Sequence, residues 1–177
     1  ARSSTQVERV GVSTDDEIVA DIALRAGVEH WPRDAELATD AARVDAAARR
    51  AIEQADRIAT VGADSAVVLL YANVPLRPEG LIDRAIGLFL ETGCDSVQSY
   101  AQVGKHHPTW TARVGVDGAV RPWEGERLFG GVYRRQDLEP AYVPDGGVIV
   151  VRRSCLDAAA ANHSSPHAFL EIGRAHV

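Results

Sequence analysis

Methionine is absent from all 177 residues, and cysteine occurs only twice, at Cys94 and Cys155. Two cysteines build no disulfide framework, and their spacing fits no metal motif. Both sit in apolar surroundings and are expected to be reduced core thiols. No apolar run reaches the roughly 18 residues that a membrane helix needs, and no signal peptide is visible. No membrane partner is expected, and the cytoplasm is the expected compartment. An excess of positive charge is missing as well. Lys and Arg number 19 against 25 Asp and Glu, a formal net charge of −6. That balance excludes a non-specific nucleic-acid binder, which presents a basic face. It leaves room for a nucleotide, whose phosphates a few local arginines can offset. Familiar catalytic signatures are lacking too: there is no glycine-rich phosphate loop, no GxSxG, no HExxH and no CxxC. The pair Gly146-Gly147 is too short for a phosphate loop. His106 and His107 are neighbours that a strand would aim at opposite faces, so a structural role is expected for them.

What is present is an ordinary globular composition, 46% hydrophobic and 25% charged. Strand and helix signals alternate, which points to an α/β fold with a mostly parallel sheet flanked by helices. The run 7–12 reads as a buried strand. Thr14 and Glu17 have capping-box spacing before a helix, with Ile18, Ile22 and Ala26 at helical period and Gly27 beyond its end. A short strand is expected at 28–31 and a loop at 32–40. Val44, Ala48, Ile52 and Ala55 mark the apolar face of a second helix, closed by Gly62. The run 66–70 has the pattern of a central strand. A loop at 71–78 follows, then a helix carrying Leu81, Ile82, Ala85, Ile86, Phe89 and Leu90, and a strand at 95–100. Segments 109–116 and 119–121, joined by Asp117-Gly118, read as a small β-hairpin insertion. Residues 133–147 read as a polar loop and 148–151 as a strand, and Ser154 could cap a last helix.

Open α/β sheets place ligands at the carboxyl ends of their strands, which selects 13–16, 32–40 and 71–78. Arg33 is a candidate anion clamp there, since a guanidinium offers forked donors. Asn73 could read a base or a phosphate, or simply hold an Asx-type turn before Pro75. Arg134-Arg135-Gln136 is a basic patch within a loop.

One resemblance gathers these segments. VSTDDEIVADIALRAGVEH from Val12, with RDAELATD from Arg33, is similar to the second-strand block of the acylneuraminate cytidylyltransferases. GLIDRAIGLFLETGCDSVQSY from Gly80, GKHHP from Gly104 and YRRQDLEPAYVPDGGVIVVRR from Tyr133 continue the match in the family's order. The resemblance covers roughly residues 7 to 156. It implies a Rossmann-like nucleotidyltransferase fold, and transfer of CMP from CTP to a sialic-acid-like nine-carbon sugar acid with loss of pyrophosphate. It implies Mg²⁺ as cofactor, and it admits a homodimer. It places Arg33 and Asn73 at the nucleotide, and Tyr71, Arg135, Gln136 and Asp145 at the sugar acid. Tyr71 and Asn73 stand where the family's QPTSPLR has its Gln and Thr. Val44 replaces a Ser near the base, and Val143 replaces an Arg before the Pro of the sugar loop, so a relative of sialic acid is an open substrate. Two rivals remain: a nucleotide- or sugar-binding module without catalysis, and another nucleotidyltransferase or nucleotide-sugar glycosyltransferase on a similar sheet.

The expected organisation is a single truncated domain over 1–170. The family's opening phosphate loop and its late acidic metal motif are not found in this stretch, so no residue here is assigned to the metal. The last residues, 171–177, resemble a translated sequencing adapter and are expected to be a non-native tail.

Overall fold

The computed structural model describes residue 1, residues 3–156 and the strand at 167–171. The expected tail falls almost wholly outside the described residues. Two compact units are found, Ala1–Gln98 with Gly146–Leu170, and Ser99–Asp145 with Glu171–Val177.

The first unit opens with a parallel pair, β1 (Gly11–Thr14) and β2 (Glu29–Pro32), joined by α1 (Glu17–Arg25). Capping falls on Asp16 and not on Thr14. Asp16 Oδ1 accepts the N–H groups of Ile18 and Val19 at 2.8 and 3.0 Å. The Thr14 hydroxyl is taken by the Asp16 N–H, and Thr14 stays in β1, paired with Pro32. The apolar face expected for α1 is also corrected. Ala20 and Ala23 are its buried residues, whereas Ile18 and Ile22 are 72% and 60% exposed. Small side chains let the helix lie close on its neighbours, and its larger residues face outward.

Helix α2 (Val44–Ile58) buries Ala48, Ala51, Ile52 and Ala55 and leads to β3 (Ala66–Leu69). Gly62 does not close it: the helix ends at Ile58, and Asp56 accepts the Val61 N–H beyond the end. Ala48, Ile52, Val67 and Leu156 form one core cluster, with Val61, Leu69 and Val151 against it. Helix α3 (Leu81–Thr92) buries Leu81, Ala85, Ile86 and Phe89, and Gly93 caps it in the left-handed region. Burying an aliphatic or Phe side chain of this kind stabilises by roughly 1.5–3 kcal/mol.

Strand β4 (Ser96–Gln102), β7 (Tyr142–Arg152) and β8 (His167–Glu171) complete a four-stranded sheet in the order β3-β7-β4-β8. This sheet is not the mostly parallel one expected. β7 pairs antiparallel with β3, Leu69 opposite Ile149. The bonds Val103 N–H to Ala141 O and Arg152 N–H to Asp95 O make it antiparallel to β4 as well. β3 and β4, joined through α3, are parallel to each other, but β7 fills the place between them. It enters from the excursion that follows β4 and not through a helical crossover, so nothing forces it to run parallel. β7 also begins at Tyr142, inside the stretch expected to be loop.

In the second unit β5 (Ala112–Val114) and β6 (Val120–Pro122) form the expected hairpin. Ser154 lies in a short 3-10 turn, Arg153–Leu156, and any helix after it falls outside the described residues.

Candidate functional site

Arg33 lies where β1 and β2 end. Its N–H donates to Thr14 O at 3.1 Å, continuing the parallel ladder. Its guanidinium turns onto Ser13, with Nη2 donating to the carbonyl at 2.6 Å and Nε reaching the hydroxyl at 3.4 Å. The adjacent carboxylate, Asp34, is engaged elsewhere, by Arg50 at 2.7 Å. The β1–β2 pair is braced from the side by Arg9. This residue meets Glu29 at 2.8 Å and donates to Ala55 O and Ala59 O at the C-terminal end of α2, where a cation is favoured. The bond from Arg9 holds the Glu29 carboxyl below the usual carboxylate range, and the Trp31 indole N–H adds to the effect.

Tyr71 and Asn73 share a β-turn beyond β3, closed by Val74 N–H donating to Tyr71 O at 3.2 Å. Asn73 is exposed at the third turn position, and Tyr71 is half-buried. The turn rests on Gly146, whose φ of +72° and close neighbours disfavour a side chain. A Cβ there would lie 3.3 Å from both the Tyr71 ring and a Val74 methyl. Arg77 ties the assembly together, with Nε donating to Gly147 O at 2.6 Å and Nη2 to Tyr71 O at 2.8 Å.

In the second unit the Ser99 hydroxyl, fully buried, donates to Asp145 Oδ1 at 2.5 Å. Arg135 and Gln136 lie on one exposed 3-10 turn, Arg135–Asp137. The Gln136 amide oxygen, turned toward Arg134, accepts from its guanidinium at 2.8 and 3.0 Å. Arg134 also approaches Asp137 at 3.6 Å. A cavity of about 560 Å³ in this unit is lined by His107, Glu124, Val132, Asp137 and Glu139 among others, and neither Arg135, Gln136 nor Asp145 lines it. His107 has the structural role expected of it. Nδ1 accepts the Thr109 N–H at 3.2 Å, so Nε2 carries the proton and donates to Glu139 O at 2.9 Å.

Two groups of the proposed residues are therefore local: Tyr71 with Asn73, and Arg135 with Gln136. Arg33 belongs to the first unit with the former pair, Asp145 to the second with the latter. Sequence reasoning missed Arg77 and Ser99. A guanidinium bound to carbonyls and a buried hydroxyl bound to an aspartate leave no spacing motif, although Arg77 was visible at the end of the loop following β3. Among the described residues no group of three or more His, Cys, Asp or Glu side chains could hold a metal ion, and no helix is long and apolar enough to cross a membrane.

No protein-family profile matches the chain. It is similar to the N-acylneuraminate cytidylyltransferases of Streptococcus agalactiae serotypes V, III and Ia, 30% identical over 139 residues in each case. The alignments cover 78% of this chain and 31% of each relative, so the chain spans under a third of the length of the curated relatives it matches. Its fold is like that of CMP:2-keto-3-deoxy-manno-octonic acid synthetase, solved in complex with CTP. The TM-score is 0.61 at 14% identity, over 97% of this chain and 75% of that one. At that identity the likeness concerns fold alone. It agrees with the α/β architecture. Over most of its length, then, this chain is a homologue of proteins named N-acylneuraminate cytidylyltransferase.

Proposed function

We propose that the protein transfers CMP from CTP to a sialic-acid-like nine-carbon sugar acid with release of pyrophosphate. The observation that carries this reading is the similarity over 139 residues to enzymes named for that chemistry. A solved synthetase of like fold, bound to CTP, supports it. In the reaction the sugar's anomeric oxygen forms a bond to the α-phosphorus, the bond to the β-phosphate bridging oxygen breaks, and the hydroxyl proton is released. Such a transfer depends chiefly on positioning and on charge placed around the phosphoryl oxygens.

The chain's own residues are assigned accordingly. Arg33 and Asn73 hold the nucleotide, Arg33 by its charge and Asn73 by an exposed amide at the tip of a fixed turn. Arg135, Gln136 and Asp145, in the second unit, are assigned to the sugar acid. Arg135 suits the carboxylate, and Asp145, steadied by Ser99, suits sugar hydroxyls that donate to it. The family chemistry implies Mg²⁺. Among the described residues no group of three or more His, Cys, Asp or Glu side chains could hold it, and no step is routed through the ion. A cytoplasmic location accords with two free cysteines, Cys94 buried and Cys155 half-buried.

The test is nucleotide selectivity. Calorimetric titration of the full-length protein should show CTP binding at least about tenfold more tightly than ATP, GTP or UTP. Equal affinity for all four would remove the basis for a cytidylyltransferase.

A further inference from the structure

Charge that is partly withdrawn from water is normally matched by an opposite charge. Five half-buried arginines of the first unit, Arg9, Arg49, Arg50, Arg152 and Arg153, each have a carboxylate within 4.0 Å. Arg33 and Arg77 are the two half-buried arginines that form no ion pair among the described residues. Both bind only uncharged oxygens, those of Ser13 for Arg33 and the carbonyls of Gly147 and Tyr71 for Arg77.

The place of Arg77 is informative. β3 and β7 pair as far as Leu69 and Ile149. Two residues further on, the same register would oppose Tyr71 to Gly147. There the ladder stops, and the Arg77 guanidinium bridges the two carbonyls instead. A neutral amide would serve to staple two carbonyls. A permanent cation does more: of five N–H donors it uses two here, and three remain. Its position at the carboxyl end of β3, under the turn that exposes Asn73, is where an open α/β sheet receives ligands.

We propose that Arg77 is a second anion-binding residue of the site. It takes a phosphate or carboxylate oxygen of a substrate on the donors that the two carbonyls leave. The inference rests on the cytidylyltransferase reading for the identity of that anion, and the experiment separates the two. The full-length protein and its Arg77→Gln variant are titrated with inorganic pyrophosphate, CTP, cytidine and N-acetylneuraminic acid, and their thermal transitions are compared. If a phosphate is the ligand, Arg77→Gln weakens pyrophosphate and CTP about tenfold or more and changes cytidine less than about twofold. If the sugar carboxylate is the ligand, N-acetylneuraminic acid weakens by that factor and CTP does not. The proposal is overturned if a folded Arg77→Gln binds all these probes as wild type does. It is also overturned if cytidine weakens as much as CTP, which marks damage to the turn, or if wild type binds none of the anions. Wild type that binds pyrophosphate but not CTP defeats the cytidylyltransferase reading and leaves Arg77 to be judged on pyrophosphate. Should Arg77→Gln not fold, Arg77→Lys decides. Keeping the charge without the fork should hold anion affinity within about threefold, and its loss in a folded Lys variant overturns the proposal.

Discussion

Replacing Gly146 by Ala tests the seat on which the Tyr71–Val74 turn rests. Two costs apply. Gly146 has φ +72°, and holding an L-residue in the left-handed region costs roughly 1–2 kcal/mol. The new methyl would then lie 3.3 Å from the Tyr71 ring and from Val74. Forcing extra volume into a packed site costs about 1–3 kcal/mol more unless the ring moves. Gly118 supplies the control. Its φ is +78°, at the exposed hairpin turn, and a Cβ there meets nothing within 4 Å. Gly118→Ala thus measures the backbone term alone, and the difference between the two variants isolates the contact. Urea denaturation followed by far-UV circular dichroism is the assay. Gly146→Ala should lose about 2–5 kcal/mol and Gly118→Ala about 1–2. With a slope of about 1–3 kcal/mol per molar urea, the former moves the midpoint by about a molar or more. Equal losses would refute the seating of Tyr71 on Gly146, and a loss below about 0.5 kcal/mol would refute the left-handed backbone as well.

Two further changes test other parts. Asp56 accepts the Val61 N–H at 2.8 Å and meets Arg153 at 3.2 Å, and these bonds, the backbone one foremost, hold its carboxyl below the usual range. Because the folded pKa is depressed, the stabilisation is complete above the ordinary aspartate value of about 3.9 and is lost as pH falls through the folded value. Asp56→Asn should therefore cost about 1.5–3 kcal/mol at neutral pH, a gap that narrows in acid; a gap independent of pH between 7 and 3 contradicts the assignment. On the proposed function, Arg135→Ala in the full-length protein should raise KM for the sugar acid about tenfold and KM for CTP far less, since a carboxylate loses a charge-assisted partner; steady-state kinetics in which the two constants rise together remove Arg135 from the sugar.

The elements that repeat at a clear period were legible. α2 buries Ala48, Ile52 and Ala55 of the face its spacing indicated, while Val44 is exposed, and α3 buries Leu81, Ala85 and Phe89. α1 was legible as a helix but not in its facing, because period alone favours Ile18 and Ile22 while the packing selects Ala20 and Ala23. The direction of β7 could not be read. Strand propensity carries no sign of direction, and the Gly146-Gly147 pair that looks like a loop instead lies within the strand beneath Tyr71. For the site, Arg33 stood out because it directly follows a strand. Arg77 and Ser99 did not, since the partners that give them meaning, Gly147 and Asp145, lie 70 and 46 residues away.

The central claim is tested most directly by the product. The full-length protein would be incubated with CTP and N-acetylneuraminic acid and the mixture followed by ³¹P NMR. The reading requires a new phosphodiester resonance for the CMP-linked sugar, growing in step with free pyrophosphate and absent when the sugar acid is withheld. CTP that stays intact, or is hydrolysed to CMP at the same rate with and without the sugar acid, contradicts cytidylyl transfer to this class of acceptor.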